Sequence, residues 1–368
     1  MYIIKWKQAD KDVVALYWSE KLSLEQLDEW REKCDILQVW YPKQVSNDIV
    51  QKYGKLLTYI EYKGKWKLQT ASRVVDLHKS EEEILADYTK NGRYEIRRAL
   101  ERDEIQFIYR DAPDNDELEA FFDYYLAFAE TKHMHGLDEA KIRALAEKGE
   151  LLITKAISAS GEVLVMHTYI CHRGVKAALM TSSSLYRNSN DKEMQAMIGR
   201  ANRALHYKDM IYLKDQGFQT YDMGGLYLGE ENIEQAAITR FKNGLGGEIE
   251  YFEAGFCVPF RNIRIAEDNI RRIKESVKNK KVYAWGGNAF GQYCLAKMRE
   301  NGIAIEGIID NKLALVDSGC VTSEILKEVV PSEVAIVATM SESSFDKLYI
   351  ELLEKGFMLN QNIFCLRK

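Results

Sequence analysis

The stretch "GRANRALHYKDMIYLKDQGFQTYDMGG", residues 199–225, decides the fold. Set one residue every 100°, Met194, Ile198, Ala201, Leu205 and Tyr212 share one apolar face, so a helix is predicted from about Asp191 to Gln216. Gly217 supplies its stop. The run "FQTYDMGG" then reads as a strand entering a glycine turn. Asn202, His206 and Asp209, at spacings of four and three, follow one edge of the apolar face. A polar stripe in that place is either a structural hydrogen-bond network or a cleft wall, and the spacing alone fits both. His206 is the member whose charge can change near neutral pH.

Working outward, "NIEQAAITRFKNGLGG" (232–247) reads as a further helix and "EIEYFEAGFCVPF" (248–260) as a closing strand. Upstream, "LLITKAISASGEVLVMHTYICHRGVKAALMTSSS" (151–184) is three strands with turns at Ser160-Gly161 and Arg173-Gly174, an antiparallel meander. Two helices precede it, within residues 116–149. In the first 115 residues "DVVALYW" reads as a strand and "SLEQLDEWREKC" as a capped helix. "LLTYIEYKGKWKLQT" is a candidate hairpin turning at Lys63-Gly64. "SEEEILADYTKNGRYEIRRALERDEIQFIYR" reads as one or two helices and a strand.

Pro259 marks a boundary. "RNIRIAEDNIRRIKESVKNK" (261–280) is a charged amphipathic helix, placed as a linker. Beyond it strands and helices alternate, as in a small parallel βαβ sheet. "VYAWGGNAFG" is a glycine turn between strand and helix. Gly286, Asn288 and Gly291 occupy the G-x-G-x-x-G positions, with Gly287 between them. Asp310 ends the next strand, where a ribose-binding acid belongs. At roughly 88 residues the unit is too short for a complete dinucleotide fold, which argues against a nicotinamide dehydrogenase.

The chain of 368 residues, 46% hydrophobic, is long enough for two or three cores. Its net charge of -5 provides no bulk field for nucleic acid, so DNA is not an expected partner. The opening "MYIIKWKQAD" lacks the features of a signal peptide, and no apolar window reaches the ~18 residues of a membrane span. The six cysteines are scattered, without C-x-x-C or metal-ligand spacing, so reduced thiols, a cytoplasmic location and no metal are expected.

Four pieces stand in a fixed order: Asn202 to Tyr207, Lys214 to Gly217, Tyr221 to Gly225, and Phe241 to Gly247. Together they resemble the Fem-type branch of the GNAT acyltransferase superfamily, with Leu245 where that family usually has Phe. The likeness covers roughly residues 80–260 well and the first 80 weakly. It implies α+β and α/β architecture: two GNAT-like halves, a short one at 1–115 and one with the motifs at 116–260. The linker at 261–280 and a small Rossmann-like parallel βαβ domain at 281–368 would follow. That last unit resembles the modules found beside sugar O- and N-acyltransferases and sugar-modifying methyltransferases. There the turn with Gly286, Gly287, Asn288, Gly291 and Asp310 would bind or dock a nucleotide sugar.

The activity implied is transfer of an acetyl, other acyl or aminoacyl group to an amine, or a hydroxyl, of a sugar nucleotide or cell-envelope glycan precursor. Lys242 would stabilise the oxyanion. Asp222 would serve as base or orient the amine, although an Asp before Gly equally well holds a turn. His206 is the alternative base. Asn202 and Tyr221 would contact substrate. Arg203, Arg240 and Arg97 could hold a diphosphate or carboxylate, or simply form a solvated basic face. The implied donor is acetyl-CoA or another acyl-CoA. However, "SSSLYRNSNDKEMQ" lacks the glycines of the usual pyrophosphate loop. The helical arm of some tRNA users is missing, so an aminoacyl-tRNA donor is disfavoured but left open. A non-catalytic sugar-nucleotide-binding scaffold is the competing reading.

Overall fold

A computed structural model describes residues 1–54, 56–59, 70–134, 136–229, 231–315 and 319–367. The hairpin expected around Lys63-Gly64 lies outside the described residues. The chain opens with β1 (Tyr2–Gln8), β2 (Lys11–Tyr17), α1 (Leu24–Asp28), β3 (Ile36–Trp40), α2 (Asn47–Tyr53) and β4 (Thr58–Tyr59). It continues through β5 (Thr70–Asp76), α3 (Glu81–Asp87), α4 (Lys90–Glu101), β6 (Gln106–Arg110), α5 (Asn115–Thr131) and α6 (Glu139–Glu147). The meander follows as β7 (Leu151–Ile157), β8 (Val163–His172) and β9 (Lys176–Ser184). Next come α7 (Lys192–Asp215), β10 (Thr220–Leu226), α8 (Ile233–Asn243), β11 (Glu248–Phe252), β12 (Phe256–Val258) and α9 (Phe260–Ile273). The last part comprises β13 (Lys281–Trp285), α10 (Ala289–Glu300), β14 (Gly307–Ile309), β15 (Cys320–Val321), β16 (Val334–Ala338), α11 (Glu342–Glu354) and β17 (Ile363–Cys365). Among the described residues no helix is long and apolar enough to cross a membrane.

Two compact units form. The first takes Met1–Glu20, Trp40–Gln44 and Lys65–Ala254; the second takes Lys21–Val39, Val45–Gly64 and Gly255–Lys368. The first is built on a seven-stranded sheet in the order β11-β5-β10-β9-β8-β7-β6. Residue 115, the boundary expected from sequence, lies inside this unit, and strands from both sides of it share the sheet. All neighbours in the sheet are antiparallel except β9 and β10, which run parallel. A parallel pair needs a crossover, and α7 provides it. The sheet's interior strands lose the alternation of a half-exposed strand: eight consecutive residues of β8 are buried.

The expected closing strand 248–260 is two strands. β11 pairs with β5, whereas β12 pairs with β3 and β4 in the second unit. The break falls at Glu253–Gly255, where Ala254-Gly255 offers no β-branched side chain to continue the strand. The 261–280 segment expected as a linker contributes most of α9, a packed element of the second unit. It buries Phe260, Ile263, Ala266, Ile270 and Ile273 at helical spacing. Burying a large apolar side chain of this kind stabilises by about 1.5–3 kcal/mol. The same unit holds an all-parallel sheet ordered β15-β14-β13-β16-β17. Every residue of β16, "VAIVA", is buried, as expected for a strand covered on both faces.

Candidate functional site

The site is built around the one parallel step in the large sheet. β9 and β10 pair only over Thr220–Lys176, Tyr221–Ala177 and Asp222–Ala178. Both strands run on, to Ser184 and Leu226, but their ladder ends there. Gly224 (φ +74°) turns the chain at this point, and the pairing of β10 with β5 slips between Asp222 and Gly225. A Cβ on Gly224 would come 3.1 Å from the Leu179 carbonyl oxygen in a left-handed conformation, so glycine is required. Beside this point a cavity of about 630 Å³ opens on β9, through Leu179, Ser182 and Ser184, and on α7 and α8. Phe128, Ile198 and Phe241 give it apolar walls, and Asn202, His206 and Lys242 are its central polar groups.

Lys242 stands near the C-terminal end of α8, half-buried, and its Nζ donates to the Gly225 carbonyl at 2.7 Å. His206 and Asn202, one turn apart on α7, form the opposite wall. Arg203 is bound up elsewhere: it pairs with Glu95 on α4 and lies 5.0 Å over the Phe241 ring. It braces α7 against α4 and α8 and does not line the cavity.

Behind His206 the polar stripe of α7 meets side chains from the sheet. His206 Nδ1 is 2.6 Å from the Tyr221 hydroxyl, which is 3.0 Å from the Tyr169 hydroxyl. Tyr169 donates to Asp209 Oδ2 at 2.5 Å. The same oxygen is met by Thr154 Oγ1 at 3.0 Å and by His167 Nδ1 at 2.8 Å. The loop returns to the cavity through His167 Nε2, 2.9 Å from Asn202 Oδ1. His167 and His206 face each other with ring centroids 4.3 Å apart. Thr154, His167, Tyr169, His206, Asp209 and Tyr221 are all buried. Burial, then His167, Lys242 and Arg203, hold the His206 pKa well below its usual value, so the ring is neutral at pH 7. Burial and the nearby Asp209 raise both tyrosine hydroxyls well above the ordinary phenol range, so they remain protonated.

The structure therefore brings together Lys242, His206 and Asn202, with Tyr221 directly behind His206. Tyr221 is fully buried; its hydroxyl serves His206 and Tyr169, outside the cavity lining. Asp222 points away. It is buried in the middle of β10, bonded by Ser72 and Gly224 N–H and 3.6 Å from Lys176. Of its two sequence readings, the geometry is that of an acid holding the Gly224 turn. Arg97 and Arg240 are exposed and line no part of the cavity. Arg93, beside Arg97, donates to the carbonyls of Ala86 and Tyr88. Of the arginines in "RYEIRRAL", Arg93 is thus taken up by backbone carbonyls and Arg98 lies 3.9 Å from Asp103.

The first turn of α7 would be the natural place for a pyrophosphate. It is occupied: Asp191 caps it through Glu193 N–H at 2.8 Å, and Glu193 adds a second acid. These residues do not fit a diphosphate. In the second unit Asn288 caps α10 through Gly291 N–H, and Asp310 accepts from the N–H groups of Gly287, Lys312 and Leu313. Those bonds hold the Asp310 carboxyl below its usual pKa. A Cβ on Gly291 would lie 2.0 Å from the Gly286 carbonyl oxygen. The turn is closed on itself by its own acid. Among the described residues no group of three or more His, Cys, Asp or Glu is arranged to hold a metal.

His167, Tyr169 and Thr154 were not singled out from the sequence. They lie in continuously buried strands, where no periodicity separates a functional residue from core. No family model matches the sequence, and no curated protein does. Solved structures with similar outlines include FemX, at 14% identity and a TM-score of 0.45, covering 69% of this chain and 83% of that one. L-PGS from Bacillus licheniformis aligns at 13% and 0.39, covering 72% and 85%. A conserved protein of unknown function from Bacteroides thetaiotaomicron aligns at 12% and 0.39, covering 69% and 81%. The chemistry of this chain rests on its own residues.

Proposed function

We propose that this chain is an acyltransferase of Fem/GNAT type. It moves an acyl or aminoacyl group from a thioester or ester to an amine of a sugar nucleotide or cell-envelope precursor. The observation that carries this reading is the parted β9–β10 pair with Lys242 on one side and neutral His206 on the other. Parting leaves strand-edge amides and carbonyls able to pair with a donor arm that itself contains amides. A neutral imidazole is a competent base for an ammonium proton. Lys242 brings a cation to the strand end, where an oxyanion would develop. Since α7 offers no diphosphate seat, we infer that an acyl-pantetheine arm carries most of what the site recognises in a CoA thioester.

The parallel-sheet unit is proposed as the nucleotide-sugar docking part. Its 3-2-1-4-5 type strand order and the glycine turn at the end of its first strand support a Rossmann-like reading. A second reading, a non-catalytic sugar-nucleotide-binding scaffold, gains from Asp222 lying outside the cavity.

The test is calorimetric titration with acetyl-CoA, acetyl-pantetheine and a UDP-amino sugar, followed by mass analysis of the mixture. N-acylated sugar, with acetyl-pantetheine within about tenfold of acetyl-CoA in kcat/KM, is the expected result. Lys242→Ala should lower kcat on the order of 100- to 1000-fold while the fold survives. Sugar-nucleotide binding with no acyl transfer from either donor selects the scaffold.

A further inference from the structure

The buried hydrogen-bonded line behind His206 has no part in holding substrate, and its chemistry is unusually ordered. It joins an imidazole at the cavity wall to a carboxylate one turn further along α7 through two tyrosine hydroxyls of the sheet, with gaps of 2.6, 3.0 and 2.5 Å. Asp209 Oδ2 has three hydrogen-bonding neighbours, whereas its buried Oδ1 has no partner among the described residues. A buried carboxylate oxygen without a partner is costly to leave in a structure. A purely structural network would be expected to satisfy both oxygens.

We propose that Tyr221, Tyr169 and Asp209 form a proton line that empties His206 during acyl transfer; this rests on the acyltransferase reading. As the amine nitrogen bonds to the acyl carbon, its surplus proton passes to His206 Nε2. In the same event the proton on His206 Nδ1 moves to the Tyr221 oxygen, the Tyr221 proton to Tyr169, and the Tyr169 proton to Asp209 Oδ2. His206 ends neutral in its other tautomer, both tyrosines remain phenols, and the carboxylate has become a carboxylic acid. When the bond from acyl carbon to donor sulfur or oxygen breaks, the line runs backward. His206 Nε2 returns the proton to the leaving atom and Asp209 is again a carboxylate. One amide and one free thiol or alcohol result, with no proton gained or lost. The line answers an electrostatic difficulty: Lys242, Arg203 and His167 all oppose a positive charge on His206. His206 touches the reacting proton; the other three residues act through it.

The test uses the full chain in two experiments. In the first, nitrogen-15 NMR of histidine-labelled wild-type protein reads the resting tautomer of His206. A proton on Nδ1, leaving Nε2 as acceptor, is expected; a proton on Nε2 at rest overturns the proposal. In the second, Tyr221→Phe, Asp209→Asn and the double variant are compared with acetyl-CoA and a UDP-amino sugar. Each single change should lower kcat by about 100-fold with little change in KM, because each interrupts one base. The double variant should lie within about threefold of the singles, since a line already cut cannot be cut again. Losses that multiply, or singles of undiminished kcat, overturn the proposal. Wild-type protein that transfers no acyl group sinks the functional reading instead, and the tautomer still decides the direction of the line.

Discussion

Two acids, one half-buried and one buried, show how differently this molecule uses a carboxylate. Asp310, in the glycine turn of the parallel sheet, is surrounded by three backbone N–H donors that it holds in place. Asp209, behind the cavity, is surrounded by side chains that can themselves exchange protons, and one of its oxygens is left over. The first arrangement fixes a loop. The second stores polarity next to a cavity, where it costs stability. The difference lies in the partners: amides pass no protons, whereas imidazole and phenol groups do.

The largest effect that would sharpen this contrast is in stability. Asp209→Ala leaves buried donors on Thr154, Tyr169 and His167 without their acceptor and should cost about 3–5 kcal/mol in urea denaturation. Asp310→Ala exposes its amides to nearby water and should cost only about 1–3 kcal/mol. Equal losses would break the comparison. Gly291→Ala, which places a Cβ against the Gly286 carbonyl, should cost about 1–3 kcal/mol by overpacking. A neutral result would show that the turn is looser than its contacts imply.

The two regions should also separate by pH. His206 has a depressed pKa and is buried neutral, so its unfolded form binds the extra proton. Its stability contribution is complete above the unfolded value of about 6.5 and falls as pH drops below it. Asp310, also depressed, contributes fully above the unfolded carboxyl value of about 4 and loses its contribution only below that. In a series of urea midpoints, His206→Gln should flatten the loss that begins near neutrality, and Asp310→Asn the later acid loss. A single shared transition would undo the distinction. The smallest effect is a gain. Gly199 lies in α7 on the cavity wall, and a Cβ added there would meet nothing within 4 Å. Gly199→Ala should therefore add about 0.5–1 kcal/mol in thermal unfolding.

The sequence was most legible where periodicity or punctuation acts locally. The α7 stripe and its stop at Gly217 (φ +78°), the capping boxes at Ser23 and Ser80, and the meander turns at Gly161 and Gly174 all follow from neighbouring residues. The edge position of Asn202, His206 and Asp209 was legible too. What they touch was not. His167 reaches Asp209 across 42 residues and Tyr169 reaches Tyr221 across 52, through helix-on-sheet packing and strand order that no local pattern encodes. Asp222 stayed open between its two readings for a related reason: its place just before Gly224-Gly225 reads the same whether its side chain faces a cavity or the opposite side of the sheet. Arg200, bidentate to Asp103 at 2.6 and 3.0 Å, went unnoticed because its partner lies 97 residues away.

The helix that carries Lys242 buries none of its residues, and Ile233 on it is 79% exposed. Phe241 packs partly buried against the core, Thr239 bonds Tyr227 and Lys242 bonds Gly225; its other side chains meet few demands of a packed interior. Ile233, Glu234, Ala237 and Ile238 are exposed, and the last three line the cavity, so they can be replaced at little cost to folding. Substitutions at these exposed cavity-lining positions of α8 would change what the cavity admits while sparing the core.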